Sequence, residues 1–216
     1  MPKKSKKPIS KKESENLYGE ERYEVRLSGS GGQGLITAGV ILAEAVAVGD
    51  GRNSAHTQSY GPEARGGRTR SDVVISDGEI YYPEATEVDL LLALTQEAAD
   101  SYIPLLKEDG ILIIDEDVFE RKPYRSHIAV PFTRITREKL GSSIATNVVS
   151  LAFIAQYTGI VSKESLEKSV YGHFPELFAQ KNKKALELGY NLGRKASVSR
   201  EEECIGEALE TEIDRT

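Results

Sequence analysis

The sequence predicts an α/β fold, a three-layer domain with a mostly parallel sheet, one hairpin and a helical C-terminal part. Three observations predict it. First, an alternating segment from Tyr23 runs into glycines at 29, 31, 32 and 34, followed by an apolar stretch of helix formers from Leu35 to Val48. Strand, tight turn and helix in that order open a βαβ unit. Second, Val88–Leu94 and Ile111–Ile114 are short, continuous apolar runs, the pattern of parallel strands buried on both faces. Third, the residues after about 145 have helical spacing and helix punctuation throughout. Together they describe a Rossmann-like arrangement.

The elements follow in order. Residues 1–20 read as a basic tail, 21–195 as one domain and 196–216 as an acidic tail. Val25 and Leu27 alternate with Glu24 and Arg26, so the first strand is expected to be half-buried. The helix over 35–48 has only Thr37 and Glu44 as polar positions, seven apart on one narrow stripe. A helix this apolar must be covered by other parts of the chain or by a partner subunit, and the partner is the expectation. Residues 54–58 form a second short strand. Asp72–Ser76 forms a third, which turns at Asp77-Gly78 and pairs back through Ile80–Tyr82 as a hairpin. Glu97–Leu106 is a helix ended by Asp109-Gly110. Asp115, Glu116 and Asp117 close the Ile111–Ile114 strand and are expected to be a solvated strand end. His127–Pro131 is a last strand.

Ala145–Tyr157 is a strongly apolar helix closed by Thr158-Gly159, and Ser162 caps the next. Pro175 opens another, with Leu177, Phe178, Ala185, Leu188 and Leu192 on one side. A short helix over Ile205–Ile213 is expected within the acidic tail.

Composition narrows the function. With 216 residues and 39% hydrophobic content there is one substantial core. No apolar run approaches the ~20 residues of a membrane span, and the lysine-rich start lacks the apolar region of a signal peptide, so the cytoplasm is the expected compartment. One cysteine, Cys204, excludes a disulfide framework and an iron–sulfur cluster held by this chain alone. With only His56, His127 and His173, a self-contained zinc site is not expected. Residues 1–12 carry six lysines and no acid, so the rest carries −12 of a total of −6. No aromatic interleaves those lysines, so a solvated arm is preferred to a nucleic-acid contact.

Two segments carry chemistry. Gly29, Gly31 and Gly34 fit G-x-G-x-x-G. Backbone N–H groups at the helix start, with the helix dipole, make a seat for an anion. A dinucleotide site also needs an acid about 20 residues on to hold the ribose, and Ser54–Thr57 contains none. The ligand is therefore expected to be an anion other than NAD, with simple strand–helix packing as the alternative. The second segment, residues 58–70, sets Gly61, Pro62, Gly66 and Gly67 around Arg65, Arg68 and Arg70. Glycine and proline shape a loop, and guanidinium forks suit phosphate or carboxylate. Gly49-Asp50-Gly51 follows a helix rather than a strand and is no thiamine diphosphate motif. No nucleophile elbow, His–Cys pair or Walker loop is present, so no catalytic or metal-ligating residue is assigned.

Ser28-Gly-Ser-Gly-Gly-Gln-Gly34, then Ser59-Tyr-Gly-Pro-Glu-Ala-Arg-Gly-Gly67, then Val73-Val-Ile-Ser76 resembles the gamma subunit of 2-oxoacid:ferredoxin oxidoreductases, nearest to the 2-oxoglutarate type. Thr146-Asn147 at the head of the late apolar helix is similar as well. The resemblance covers about residues 23–175. It implies a subunit without catalytic residues of its own, in a complex that converts a 2-oxoacid and coenzyme A to acyl-CoA and CO2 and reduces ferredoxin. Thiamine diphosphate and Mg2+ would sit on alpha and beta partners and iron–sulfur clusters on beta or a delta partner, with no cofactor held by this chain alone. The residues expected to face coenzyme A or the partners are Gly29, Gly31, Gly32, Gln33, Gly34, Tyr60, Gly61, Pro62, Arg65, Gly66, Gly67 and Arg68. The same role in a pyruvate, branched-chain 2-oxoacid or indolepyruvate enzyme is one alternative, and a free-standing nucleotide-binding protein is another.

Overall fold

The computed structural model describes residues 22–60 and 68–213. Its centre is a six-stranded sheet in the order β2-β3-β1-β4-β5-β6. The strands are β1 (Tyr23–Ser30), β2 (Asn53–Tyr60), β3 (Arg68–Ser76), β4 (Val88–Ala93), β5 (Leu106–Asp115) and β6 (Ile128–Val130). β1, β4, β5 and β6 run parallel, as the continuous apolar runs require, while β3 is antiparallel to both β1 and β2.

The expected hairpin return through Ile80–Tyr82 does not form. Both edges of β3 are already occupied, by β1 and by β2, so no edge is left for a returning strand. Tyr81 is instead almost fully exposed. The antiparallel hairpin of this fold is β2–β3, and its connection is residues 61–67, outside the described residues.

β1 is central rather than half-buried. Its expected wet positions, Glu24 and Arg26, are both buried, and so is Ser28. Arg26 makes this possible by forking onto Asp72 of β3, Nε to Oδ1 and Nη2 to Oδ2, each at 2.8 Å. Nη2 also donates to the Ala85 carbonyl at 3.0 Å, and the Tyr102 ring lies 4.9 Å from the guanidinium carbon. Glu24 accepts the Thr86 and Glu87 N–H groups at 2.6 and 2.9 Å.

Helices cover both sheet faces. α1 (Leu35–Glu44) continues into one π turn, Ala45–Gly49. It packs with α4 (Thr146–Thr158), α5 (Lys163–His173) and α6 (Ala179–Ile213) over Val25, Leu27, Val73, Leu90, Leu92 and Ile113. α2 (Gln96–Tyr102) covers the other face at Leu91, Ala93, Leu112 and Ile114. The chain therefore covers much of α1 itself, against the expectation of a partner subunit there: the Ser169 hydroxyl of α5 bonds the Ile41 carbonyl at 3.0 Å. α4 is buried nearly all round, and a Cβ on Gly189 of α6 would lie 2.2 Å from the Val149 carbonyl oxygen. Glycine at that position lets α6 approach the α4 backbone.

Several boundaries differ from expectation. α2 stops at Tyr102, where Pro104 shapes a 3-10 turn over Ile103–Leu105. Asp109-Gly110 does not end a helix; it lies within β5, where the register jumps from Val88↔Leu106 to Leu90↔Ile111, a bulge. α3 (Phe132–Leu140) escaped the sequence reading because only Phe132, Thr136 and Leu140 mark its inner face. Its punctuation, Pro131 before and Gly141 (φ 74°) after, was the available signal. α6 begins at Ala179, after a 3-10 turn that leaves Leu177 and Phe178 exposed, and runs unbroken past Lys195. Ser162 caps α5 as expected, accepting the Ser165 N–H.

Replacing Asp72 by alanine strands a buried guanidinium. Urea unfolding should show a loss of about 3–5 kcal/mol, whereas the double replacement Arg26→Met with Asp72→Leu should lose clearly less, because a paired charge removed whole leaves nothing uncompensated.

Candidate functional site at the carboxyl edge of the sheet

The glycine turn, the start of β3 and the ends of β4, β5 and β6 share one edge of the sheet, the carboxyl edge, where open α/β sheets bind ligands. The turn's geometry divides its glycines into two kinds. Gly31 and Gly32 are exposed, and Gly32 takes φ 89°, a left-handed conformation that favours glycine. Gly29 and Gly34 face inward. A Cβ on Gly29 would lie 2.1 Å from Oε1 of Gln33, whose carboxamide folds back to accept the Ser30 N–H at 2.8 Å. A Cβ on Gly34, at φ 71°, would lie 2.6 Å from Nδ2 of Asn147, which donates to the Gly34 carbonyl at 3.2 Å. Two of the three motif glycines thus admit neighbouring side chains. Gly34 is also the N-cap of α1, which has no side-chain cap and no acid in its first turn.

A crevice of about 150 Å³ opens beside the turn, lined by Gly32, Gln33, Thr133, Ser143, Ile144 and Thr146. Three helix starts meet there. Those of α1, α3 and α4 carry Gly34, Pro131 and Ala145 at the N-cap, none of which caps its helix with its own side chain, and none of the three has an acid within its first turn. Their dipoles favour negative charge in the crevice. A larger cavity, about 470 Å³, lies at the opposite edge between Thr86, Glu87 and residues 104–109. It is remote from the glycine turn and is open to solvent.

Asp115 is not the solvated strand end that was expected. It is fully buried at the end of β5 and accepts both the N–H (3.0 Å) and the hydroxyl of Thr133, so it caps α3 from outside the helix. Burial pushes its carboxyl above the usual range, opposed by the two Thr133 bonds. Glu116 and Asp117 remain exposed, with Asp117 paired to Arg134 at 3.0 Å.

Of the arginine loop, Gly61, Pro62, Arg65, Gly66 and Gly67 lie outside the described residues. Their flanks are placed. Tyr60 pairs with Thr69, and Arg68 pairs with Ser30, so the end of β2 and the start of β3 lie at the edge that carries the glycine turn. The side chain of Arg68 turns to the α2 face, 3.3 Å from Glu97 Oε1 and bonded to the Ser101 hydroxyl. Arg70 follows it there, 3.3 Å from Asp72 Oδ2. The turn and Arg68 therefore share an edge while the guanidinium points away from the α1 side. Sequence reasoning missed Thr133, Ser143 and Ile144, which lie on α3 and the 3-10 turn before α4 with no local motif to mark them.

The histidines are separate from this edge. His56 Nε2 lies 2.9 Å from the Ser71 hydroxyl, with its pKa lowered by burial against the raising field of Asp72, and His127 Nδ1 bonds the Arg125 carbonyl. Among the described residues no group of three or more His, Cys, Asp or Glu could hold a metal ion, and no helix is long and apolar enough to cross a membrane.

The raised Asp115 carboxyl has a signature. The unfolded chain releases this proton near the ordinary 3.8 while the folded chain keeps it, so its contribution to stability falls as pH rises from 3.8 to the raised value. Asp115→Asn should remove that part of the slope in denaturation curves taken across the acid range. An identical slope in the variant would contradict the assignment.

The sequence profile described as pyruvate ferredoxin/flavodoxin oxidoreductase matches residues 24–192. The 2-oxoglutarate synthase subunit KorC of Methanocaldococcus jannaschii is 44% identical over 177 residues, 80% of this chain and 95% of that one. The crystal structure of a keto/oxoacid ferredoxin oxidoreductase gamma subunit from Geobacter sulfurreducens superposes with a TM-score of 0.75 at 44% identity, covering 82% of this chain and 98% of that one. The pyruvate synthase subunit PorC of Methanothermobacter thermautotrophicus is 32% identical, covering 82% and 98%. The mixed sheet, its inserted antiparallel strand and the helical C-terminal part are thus the architecture of a known group: the chain belongs to the pyruvate ferredoxin/flavodoxin oxidoreductase family, as a gamma-type subunit of a multisubunit 2-oxoacid:ferredoxin oxidoreductase.

Proposed function

We propose that this subunit serves an enzyme acting on 2-oxoglutarate in the cytoplasm, which decarboxylates it oxidatively, transfers the succinyl group to coenzyme A and passes the electrons to ferredoxin. The observation that carries the substrate is the 44% identity to a subunit named for 2-oxoglutarate, against 32% to one named for pyruvate. Thiamine diphosphate, Mg2+ and the iron–sulfur clusters belong to alpha and beta partners in this reading, with a delta partner where one exists. They supply carbanion stabilisation and electron transfer.

The role of this chain is recognition. Coenzyme A presents a pyrophosphate and a ribose phosphate. The exposed amides of Gly31 and Gly32 and the uncapped start of α1 offer donors and a favourable field. Gln33, Thr133, Ser143 and Thr146 add polar side chains around the crevice. Arg65 lies in sequence between Tyr60 and Arg68, whose strands end at this edge, and its guanidinium is of the kind that suits a phosphate, with Gly61, Pro62, Gly66 and Gly67 beside it in the sequence. This edge is one wall of the coenzyme A entrance or the surface against the alpha and beta partners. A free-standing dinucleotide enzyme is the weaker reading, because Gln33 and Asn147 occupy the space that Gly29 and Gly34 leave.

The test is reconstitution with the partner subunits. Ferredoxin reduction should require both 2-oxoglutarate and coenzyme A, with pyruvate and branched-chain 2-oxoacids far slower. Faster turnover of pyruvate would overturn the substrate. Arg65→Ala should raise the KM for coenzyme A about tenfold, the loss of one charge-assisted contact, or weaken assembly by a similar factor. Unchanged KM together with unchanged assembly would dismiss the loop from both roles.

A further inference from the structure

The two edges of the sheet are treated differently. β6 is three residues long and is stopped by Pro131, a protected edge. β2 is eight residues long, and among the described residues only β3 pairs with it, so its outer N–H and C=O groups face away from the sheet. It carries none of the usual guards. Asn53-Ser-Ala-His-Thr-Gln-Ser-Tyr60 contains no proline, no lysine and no carboxylate, and its pairing with β3 runs without a bulge.

A second exposed feature runs beside it. Ile36, Val40, Ala43 and Ala47 recur at spacings of four, three and four, one stripe along α1 and its π turn. The first three are half-buried and Ala47 is exposed, although α4 and α5 cover other sides of the helix. This flank lies toward β2. The Ser54 hydroxyl donates to the Ala43 carbonyl at 2.7 Å, and Gly39 sits against His56. An open strand edge and an apolar helix stripe are therefore continuous, one in each layer.

We propose that this seam pairs with the same seam of a second copy of the chain, β2 antiparallel to β2 and α1 against α1 across a two-fold axis. A two-fold operation matches each layer to itself, which is what an isologous interface demands. The strand favours that occupant because it is uncharged in a chain with 29% charged residues and a net charge of −6, so self-pairing sets no like charges opposite one another along β2. Two gamma-type subunits would thereby share one extended sheet, independently of which 2-oxoacid the enzyme takes.

Sedimentation equilibrium of the full chain, at micromolar concentrations with hydrogen exchange read on the same samples, tests this. The chain should dimerise, with amide protection over residues 53–60 rising as the dimer fills. Val40→Lys on the helix stripe, and separately Gln58→Lys with Ser59→Lys on the strand, should each weaken the dimer at least about tenfold with unchanged circular dichroism. A monomeric chain, a dimer indifferent to both variants, or protection of 53–60 that comes only when the alpha and beta partners are added would each overturn the proposal.

Discussion

The fork between Arg26 and Asp72 is the contact on which the rest of the architecture turns. Both groups are fully buried in the middle of the sheet, one on β1 and one on β3, which run in opposite directions. A charge in that position is tolerated only if paired with good geometry, and the pairing also fixes which residues of the two strands face each other. Arg26 opposite Asp72 sets Ser30 opposite Arg68. That register brings the start of β3 to the same edge as the glycine turn.

The consequence is a division of labour between the two edges and two layers of the sheet. At the carboxyl edge the turn, the crevice and the starts of α1, α3 and α4 accumulate donors and positive field. Asp115 anchors that edge from below by capping α3. The lateral edge at β2 carries neutral, hydrogen-bonding side chains and faces sideways.

Much of this was legible in the sequence. The strand–glycine–helix opening, the buried parallel runs at 88–94 and 111–114, and the caps at Ser162 and Gly159 follow from local pattern, and local pattern is what short-range physics writes into a chain. The errors share a cause. The hairpin through Ile80–Tyr82 was excluded by β1 and β2 occupying both sides of β3, a fact of long-range pairing. Glu24, Arg26 and Asp115 read as wet because charge ordinarily means solvent; each is buried because a distant partner satisfies it. The glycine motif was half understood, since its spacing does not tell an exposed glycine held at positive φ, such as Gly32, from one that admits Gln33 or Asn147.

The proposed role places the working surface of the subunit at its carboxyl edge. Hydrogen exchange on the assembled enzyme, with and without coenzyme A, compared with the isolated chain, measures this directly. Residues 31–34 and 68–70 should gain protection on assembly or on coenzyme A binding, while residues 104–109 at the opposite edge stay as they were. Protection confined to 104–109, with the glycine turn unchanged in every state, would contradict it.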